Sequence, residues 1–242
     1  LGKFYSEKEV GFYNQANKWN YMGHSLISGM INGVAQPVLT QVTDDKERQL
    51  RVLRKMMRFT AFVAFPAMFG LSLIAPELIT IAITDKWIES ALILQLLCIS
   101  GAFIPITTLC SNLVISKGKS NIYMWNAISL GLLQLLVMYL IHPYGIQTMI
   151  VTYVCINISW LIVWRYFVWK EIGYRFIHLL KDILPFLFIA AGVMFITSYL
   201  TNRIENIYLL FVSKILIAAL LYILIMWISG AQTLKESIHY IR

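Results

Sequence analysis

Charge is scarce in this chain of 242 residues, where Asp, Glu, Lys and Arg together make up 13 %. Ordinary soluble domains carry about 25 %. The shortage excludes a typical soluble fold, and hydrophobic residues fill the space, at 59 % with a mean hydropathy of +0.69. An integral membrane protein is expected. At ~20 apolar residues per crossing helix plus short loops, the length holds roughly seven to nine crossings, with no room left for a folded soluble domain. A soluble enzyme, a nucleic-acid binder and a secreted scaffold are all disfavoured.

Cysteine is scarce as well. Cys98, Cys110 and Cys155 fall in apolar stretches, where a reduced Cys behaves as a small hydrophobe, so neither a disulfide framework nor a metal site is indicated. His24, His142, His178 and His239 are scattered without the helical pairing a metal site would use, and no cofactor is implied. Leu1 is not a start methionine, and residues 1–19 lack the charged-then-apolar pattern of a signal segment. The chain is therefore expected to begin inside a longer protein. The outer loops after the first segment are short and nothing looks like an active-site cluster of ionisable groups, which disfavours a membrane-bound polymerase or acyltransferase, while the lack of a carboxylate deep in a span disfavours a drug exporter.

Long apolar runs are what the sequence has in abundance. Seven candidate crossings lie at residues 21–41, 59–75, 91–116, 122–141, 146–168, 183–200 and 207–229. Runs of this length lack the alternation of lipid-facing β-strands. The expected fold is therefore all-α, a polytopic bundle of about seven transmembrane helices. Pro76 is placed to open a short helix at the interface, with Glu77 in its first turn, ending at Asp85-Lys86-Trp87.

The net charge of +8 is explained by its distribution. Cytoplasmic loops near spans carry an excess of Lys and Arg. The loops after spans one, three and five and the tail hold 14 of the 20 basic residues, the opposite side holds 5, and Lys214 lies inside span seven. This alternation predicts a cytoplasmic C-terminus and an outer-side first segment. In the most basic loop, Asp44 and Glu47 suggest a capping box. After it, Leu50, Leu53, Met56 and Met57 alternate with Arg48, Arg51, Lys55 and Arg58. Such a basic amphipathic helix suits anionic membrane lipids or an acidic substrate headgroup.

Several motifs in order carry a resemblance. They are Leu1-Gly2-Lys3-Phe4 with Val10-Gly11-Phe12-Tyr13-Asn14-Gln15-Ala16, then Gly33-Val34-Ala35-Gln36-Pro37-Val38-Leu39 and Asp44-Asp45-Lys46-Glu47-Arg48. Phe65-Pro66-Ala67-Met68-Phe69-Gly70-Leu71, Ala82-Ile83-Thr84-Asp85-Lys86-Trp87 and Ile115-Ser116-Lys117-Gly118-Lys119-Ser120 continue it. Together they resemble the Wzx-type polysaccharide-repeat-unit flippases of the multidrug/oligosaccharidyl-lipid/polysaccharide exporter superfamily, most densely over residues 1–126. One departure is Asp85, where the family commonly has glycine.

The resemblance implies the C-terminal portion of a MATE-like transporter. Residues 1–20 would be an outer-side loop and residues 21–168 five spans of the second lobe. Residues 169–182 would be a basic cytoplasmic loop, 183–229 two extra C-terminal helices, and 230–242 a cytoplasmic tail. The implied function is flipping an undecaprenyl-diphosphate-linked oligosaccharide across the bacterial inner membrane for lipopolysaccharide or capsule synthesis. Its partners would be that lipid-linked sugar, membrane lipids and an N-terminal lobe missing from this chain. Other readings are a peptidoglycan-precursor flippase, a drug exporter, a membrane polymerase or acyltransferase, and a non-transporting remnant of a truncated gene.

Candidate residues follow from the membrane setting. His24, Ser28, Asn32 and Gln36 recur every four residues in span one, with Ser25 in the same sector, spreading over ~120° of the helix surface. Polar groups in hydrocarbon need partners or water. The stripe lines a sugar-accepting cavity, or it bonds between helices brought close by Gly29 and Gly33. Asn112, Asn126, Gln134 and Asn157 are isolated polar positions that could face a cavity, while Thr148, Thr152, Cys155 and Ser159 form a small-residue face suited to helix packing. Lys214 could snorkel to the outer interface or contact a diphosphate headgroup. Among the prolines and glycines inside spans, Pro66, Gly70 and Pro105 are the candidate hinges.

Overall fold

A computed structural model describes residues 4–228; residues 1–3 and the tail expected over 230–242 lie outside the described residues. The described chain forms nine α-helices and no strand. They are α1 (Glu7–Gln41), α2 (Lys46–Leu73), α3 (Ala75–Ala82), α4 (Glu89–Gly101), α5 (Ile104–Ser116), α6 (Ser120–Ile141), α7 (Ile146–Ile172), α8 (Phe176–Thr201) and α9 (Ile207–Ile228). Helices are the solution that hydrocarbon demands, because each satisfies its own backbone hydrogen bonds.

Among the described residues, six segments are long and apolar enough to cross a membrane: α2, α4 with α5 taken as one, α6, α7, α8 and α9. Their bounds agree with six of the seven expected crossings to within the length of their polar extensions. The expected first crossing, residues 21–41, is not among the six. It forms the second half of α1, where Ser25, Ser28, Asn32, Gln36 and three glycines dilute the apolar run.

Three expected boundaries are corrected. The outer-side loop over residues 1–20 is helical from Glu7, started by a capping box in which the Ser6 hydroxyl and the Glu9 carboxylate each accept from the other's backbone N–H. The basic loop over residues 169–182 shrinks to Gly173-Tyr174-Arg175, since α7 runs on to Ile172 and α8 begins at Phe176. Gly173 supplies the left-handed turn (φ 75°) that ends α7. The cap of α2 is Asp45 rather than Asp44, its carboxylate accepting from Arg48 N at 2.9 Å. With Arg48 in the third position, no reciprocal carboxylate completes a box. The basic amphipathic stretch continues unbroken into span two as one 28-residue helix.

The expected third crossing is interrupted. Between α4 and α5 the chain turns at Ala102 and Phe103, and Pro105 opens α5. Proline has no N–H to offer the carbonyl of Gly101 four residues back. Around the break, Ala102 N donates to Cys98 O at 3.0 Å and Phe103 N to Ser100 O at 2.9 Å, closing α4 before α5 begins. At the expected short helix, α3 ends at Ala82 and a 3₁₀ turn follows at Asp85–Trp87.

The core is built where α1, α2, α4 and α5 meet, through Ala35, Leu39, Leu53, Met57, Ala61, Phe65, Met68, Leu94, Leu97, Leu109 and Leu113. Helix α8 lies along the outer side of α2, and α9 leans on α2, α3 and α8. The α9 helix presents Ala218, Tyr222 and Met226 inward at four-residue spacing, with the Tyr222 hydroxyl donating to Phe62 O at 2.9 Å. Helix α6 touches only α5, α7 and the adjoining turn to any extent. Its large side chains are therefore mostly outward, as a lipid-facing helix requires.

The two ends of the bundle are distinct. At one end Lys117 Nζ donates to Thr43 O, Lys119 pairs with Glu171, and Arg54 pairs with Asp182. At the other, Tyr5 Oη donates to His142 O at 3.2 Å, Lys8 lies 3.7 Å from Glu89, and Phe12 meets Trp87 edge-on. The three basic loops, after the first, third and fifth expected crossings, are gathered at the first end.

Candidate functional site

Helices α1, α5, α6 and α7 border an open-sided cavity of about 600 Å³, within the ~300–1,000 Å³ usual for small-molecule sites. Helical spacing supplies its walls. From α5 come Ile104, Thr107, Thr108, Ser111, Asn112 and Ile115; from α6 Tyr123, Asn126, Ala127 and Leu130; from α7 Asn157, Trp160 and Trp164. Each set falls on one face by steps of three, four and seven. Helix α1 adds Asn32 and Gln36, the end of α4 adds Ser100, and the turn after it adds Phe103.

The polar groups are held in place locally. Asn112 Nδ2 donates to Asn32 Oδ1 at 2.8 Å, joining α5 to α1 across the cavity wall. Asn157 accepts from Gln134 Nε2 at 3.3 Å and donates to Tyr153 O at 2.7 Å. Asn126 Nδ2 donates to Ile122 O, and Thr107, Thr108 and Ser111 each donate to a carbonyl three or four residues back. The lining therefore offers neutral donors and acceptors. Among the described residues, it contains no Asp, Glu, Lys, Arg or His.

The stripe on α1 divides. Asn32 and Gln36 line the cavity; His24 and Ser28 do not. His24 Nδ1 and Ser28 Oγ are sealed inside the protein with no hydrogen-bond partner, as is the Oδ1 of Asn20 one turn earlier. Asn20 was missed in the sequence, although it continues the four-residue spacing. The close-approach reading of Gly29 and Gly33 is corrected, because a Cβ at either would meet nothing within 4 Å. The glycine that a close approach does require is Gly101, where a Cβ would come 2.6 Å from Met68 Cε and nearer still to the Asn20 amide oxygen.

Other candidates are placed as follows. Asn112, Asn126 and Asn157 reach the cavity; Gln134 reaches it only through Asn157. The packing face expected of Thr148, Thr152, Cys155 and Ser159 is not buried, since Thr148, Cys155 and Ser159 are exposed and Thr152 is half-exposed. The two threonines bond back to Tyr144 O and Thr148 O. Pro66 and Gly70 sit inside an uninterrupted α2, whereas Pro105 marks the break before α5.

Lys214 neither snorkels nor stands free for a headgroup. Its amine pairs with Glu77 Oε1 at 2.6 Å and donates to Leu73 O at 3.2 Å, tying α9 to α3 and the end of α2. Glu77, read in the sequence as a first-turn interfacial carboxylate, is turned inward and is 6 % exposed. A second cluster was not visible in the sequence. Asp182 at the start of α8 is buried and takes two hydrogen bonds from Arg54, Nε to Oδ2 at 2.9 Å and Nη2 to Oδ1 at 3.0 Å. Tyr174 donates to the same carboxylate at 3.3 Å. Burial, reinforced by the Asp182 charge, pushes the Tyr174 phenol well above its ordinary range, so it remains a donor.

Comparisons with known proteins agree with this architecture. Residues 1–92 match the family described as "Polysaccharide biosynthesis protein". Over 119 residues, 49 % of this chain, the sequence is 34 % identical to an uncharacterized membrane protein in the cps region of Klebsiella pneumoniae, covering 24 % of that protein. It is 24 % identical over 113 residues, 47 % of this chain, to the lipopolysaccharide biosynthesis protein WzxC of Escherichia coli K12, covering 23 % of it. The matched stretch thus spans about a quarter of each curated relative's length. In three dimensions 96 % of the chain superposes on 49 % of the lipid II flippase MurJ in an inward closed conformation, with a TM-score of 0.73 at 18 % identity. The fold is that of half of this multi-pass membrane structure, and the sequence relatives are described as polysaccharide- or lipopolysaccharide-biosynthesis membrane proteins.

Proposed function

We propose that this protein flips a lipid-linked oligosaccharide of the undecaprenyl-diphosphate type across the bacterial inner membrane, as a transporter and not as an enzyme. The single observation that carries the reading is the uncharged, amide-lined cavity joined across α1 and α5 by Asn32 and Asn112. Sugar hydroxyls exchange hydrogen bonds with water for hydrogen bonds with neutral amides and hydroxyls at little net cost. The lipid tail would stay in the bilayer while the sugars pass through the polar interior.

Residues 21–168 act in this reading as five spans of a second lobe, and residues 183–229 as an added C-terminal pair ending on the cytoplasmic side. Coverage of about half of the flippase structure supports a further lobe closing the other side of the pathway. Rocking of the two lobes would alternate access, with the break at Pro105 as the point where the α4–α5 span bends. The test is to replace Asn32 or Gln36 with Leu in the full-length transporter and measure surface polysaccharide and protein abundance together. Export should fall at least tenfold with abundance unchanged. Loss of the protein itself would assign these residues to packing and overturn the cavity reading.

A further inference from the structure

Trp160 and Trp164 stand one turn apart on the cavity face of α7, and Tyr123 of α6 lies against Trp164 with ring centroids 6.1 Å apart. Trp164 is 5 % exposed, so its ring is locked into the wall. The indole Nε1 of Trp160 is sealed from the cavity, so what Trp160 offers there is the carbon surface of its ring. Within the same 600 Å³ space stands the Asn32–Asn112 pair. Their mutual bond uses Asn112 Nδ2 and Asn32 Oδ1, which leaves one donor, Asn32 Nδ2, beside one acceptor, Asn112 Oδ1.

This pairing of an aromatic shelf with an amide rung fits one ligand chemistry. A pyranose ring has an apolar C–H face and an edge of neighbouring hydroxyls. The C–H face suits the negative face of an aromatic π-system, and a vicinal diol presents the donor and acceptor that the amide pair complements. The lining holds no cation to meet a carboxylate, and a charge moved from water into such a site is penalised.

Resting on the transport reading above, we infer that the cavity is a specificity site for an uncharged sugar ring, stacked on Trp160 beside the buried Trp164 and hydrogen-bonded by Asn32 and Asn112. It selects neutral sugars against uronic acids. The flipped oligosaccharide places a neutral ring here, and any acidic sugar it carries sits elsewhere along the pathway.

The test uses the full chain in lipid nanodiscs with three probes: polyprenyl diphosphate bearing N-acetylglucosamine, the same lipid bearing glucuronic acid, and the bare lipid diphosphate. The neutral-sugar lipid should bind about tenfold more tightly than either of the others, the upper range for one well-stacked aromatic contact. W160L should erase the advantage over the bare lipid diphosphate, and W160F, which keeps a ring, should retain most of it. Equal affinity for the neutral and acidic sugars, or an unchanged W160L, overturns the specificity site. The neutral-to-acidic ratio is read on the wild-type protein and does not depend on any variant folding. Should neither sugar-bearing lipid bind better than the bare diphosphate, the transport reading falls with it.

Discussion

Buried ionisable side chains decide the most at the scale of single residues. Lys214 was the one basic residue that could not be assigned to either membrane face, and Glu77 looked interfacial because it occupies the first turn after Pro76. Each supplies what the other lacks. Removing one partner leaves an unpaired charge in a dry site, at ~3–5 kcal/mol, whereas removing both charges together leaves none. Lys214→Met should therefore lower thermal stability in detergent severely, and the double variant Glu77→Gln with Lys214→Met should recover most of the loss. A double variant no better than the single one would show that the pair is not coupled. No spacing rule could have found this contact, since the partners are 137 residues apart. Asn32 and Gln36 were legible for the opposite reason: both lie on one helix, where four-residue spacing alone puts them on one face.

Helix packing turns on small differences among glycines. Gly29 and Gly33 drew notice in the sequence as close-approach positions on α1, and Gly101 did not. The structure reverses their importance. Gly101 lies where α4 meets α1 and α2, and a methyl group there would be driven into Met68 and Asn20, both buried. Gly101→Ala should cost about 1–3 kcal/mol by overpacking, read as a lowered midpoint of unfolding in detergent. Gly29→Ala is the control: nothing lies within 4 Å, and alanine is the better helix former by about 1 kcal/mol, so the midpoint should hold or rise. Six of the spans were legible because apolar run length is a local property. Their true ends were less so. Polar residues on either side of Gly173 read as one long loop, yet helix continues through them because their side chains reach outward from helix ends or into partners such as Arg54.

For the whole molecule, the alternation of basic residues predicted two sides, and the contacts at the bundle's ends reproduce that grouping. Orientation can be read by labelling single cysteines with a membrane-impermeant maleimide in a Cys155→Ser background. Tyr144, 73 % exposed at the sparsely charged end, should label in intact cells once changed to Cys. Glu47, whose side chain is 89 % exposed at the basic end, should label as Cys only after permeabilisation; the reverse pattern would invert the topology. The membrane class, the helical architecture, the approximate spans and their alternation were determined by the sequence itself, because hydropathy and charge act through the bilayer without reference to other helices. The cavity was decided by tertiary structure alone. Its walls come from four helices, and Trp160, Trp164, Tyr123 and the threonines of α5 read as ordinary span residues until packing turns their faces toward one space. The same holds for Arg54 with Asp182 and for Lys214 with Glu77, since a charge in a membrane protein takes its meaning from the partner that folding brings to it.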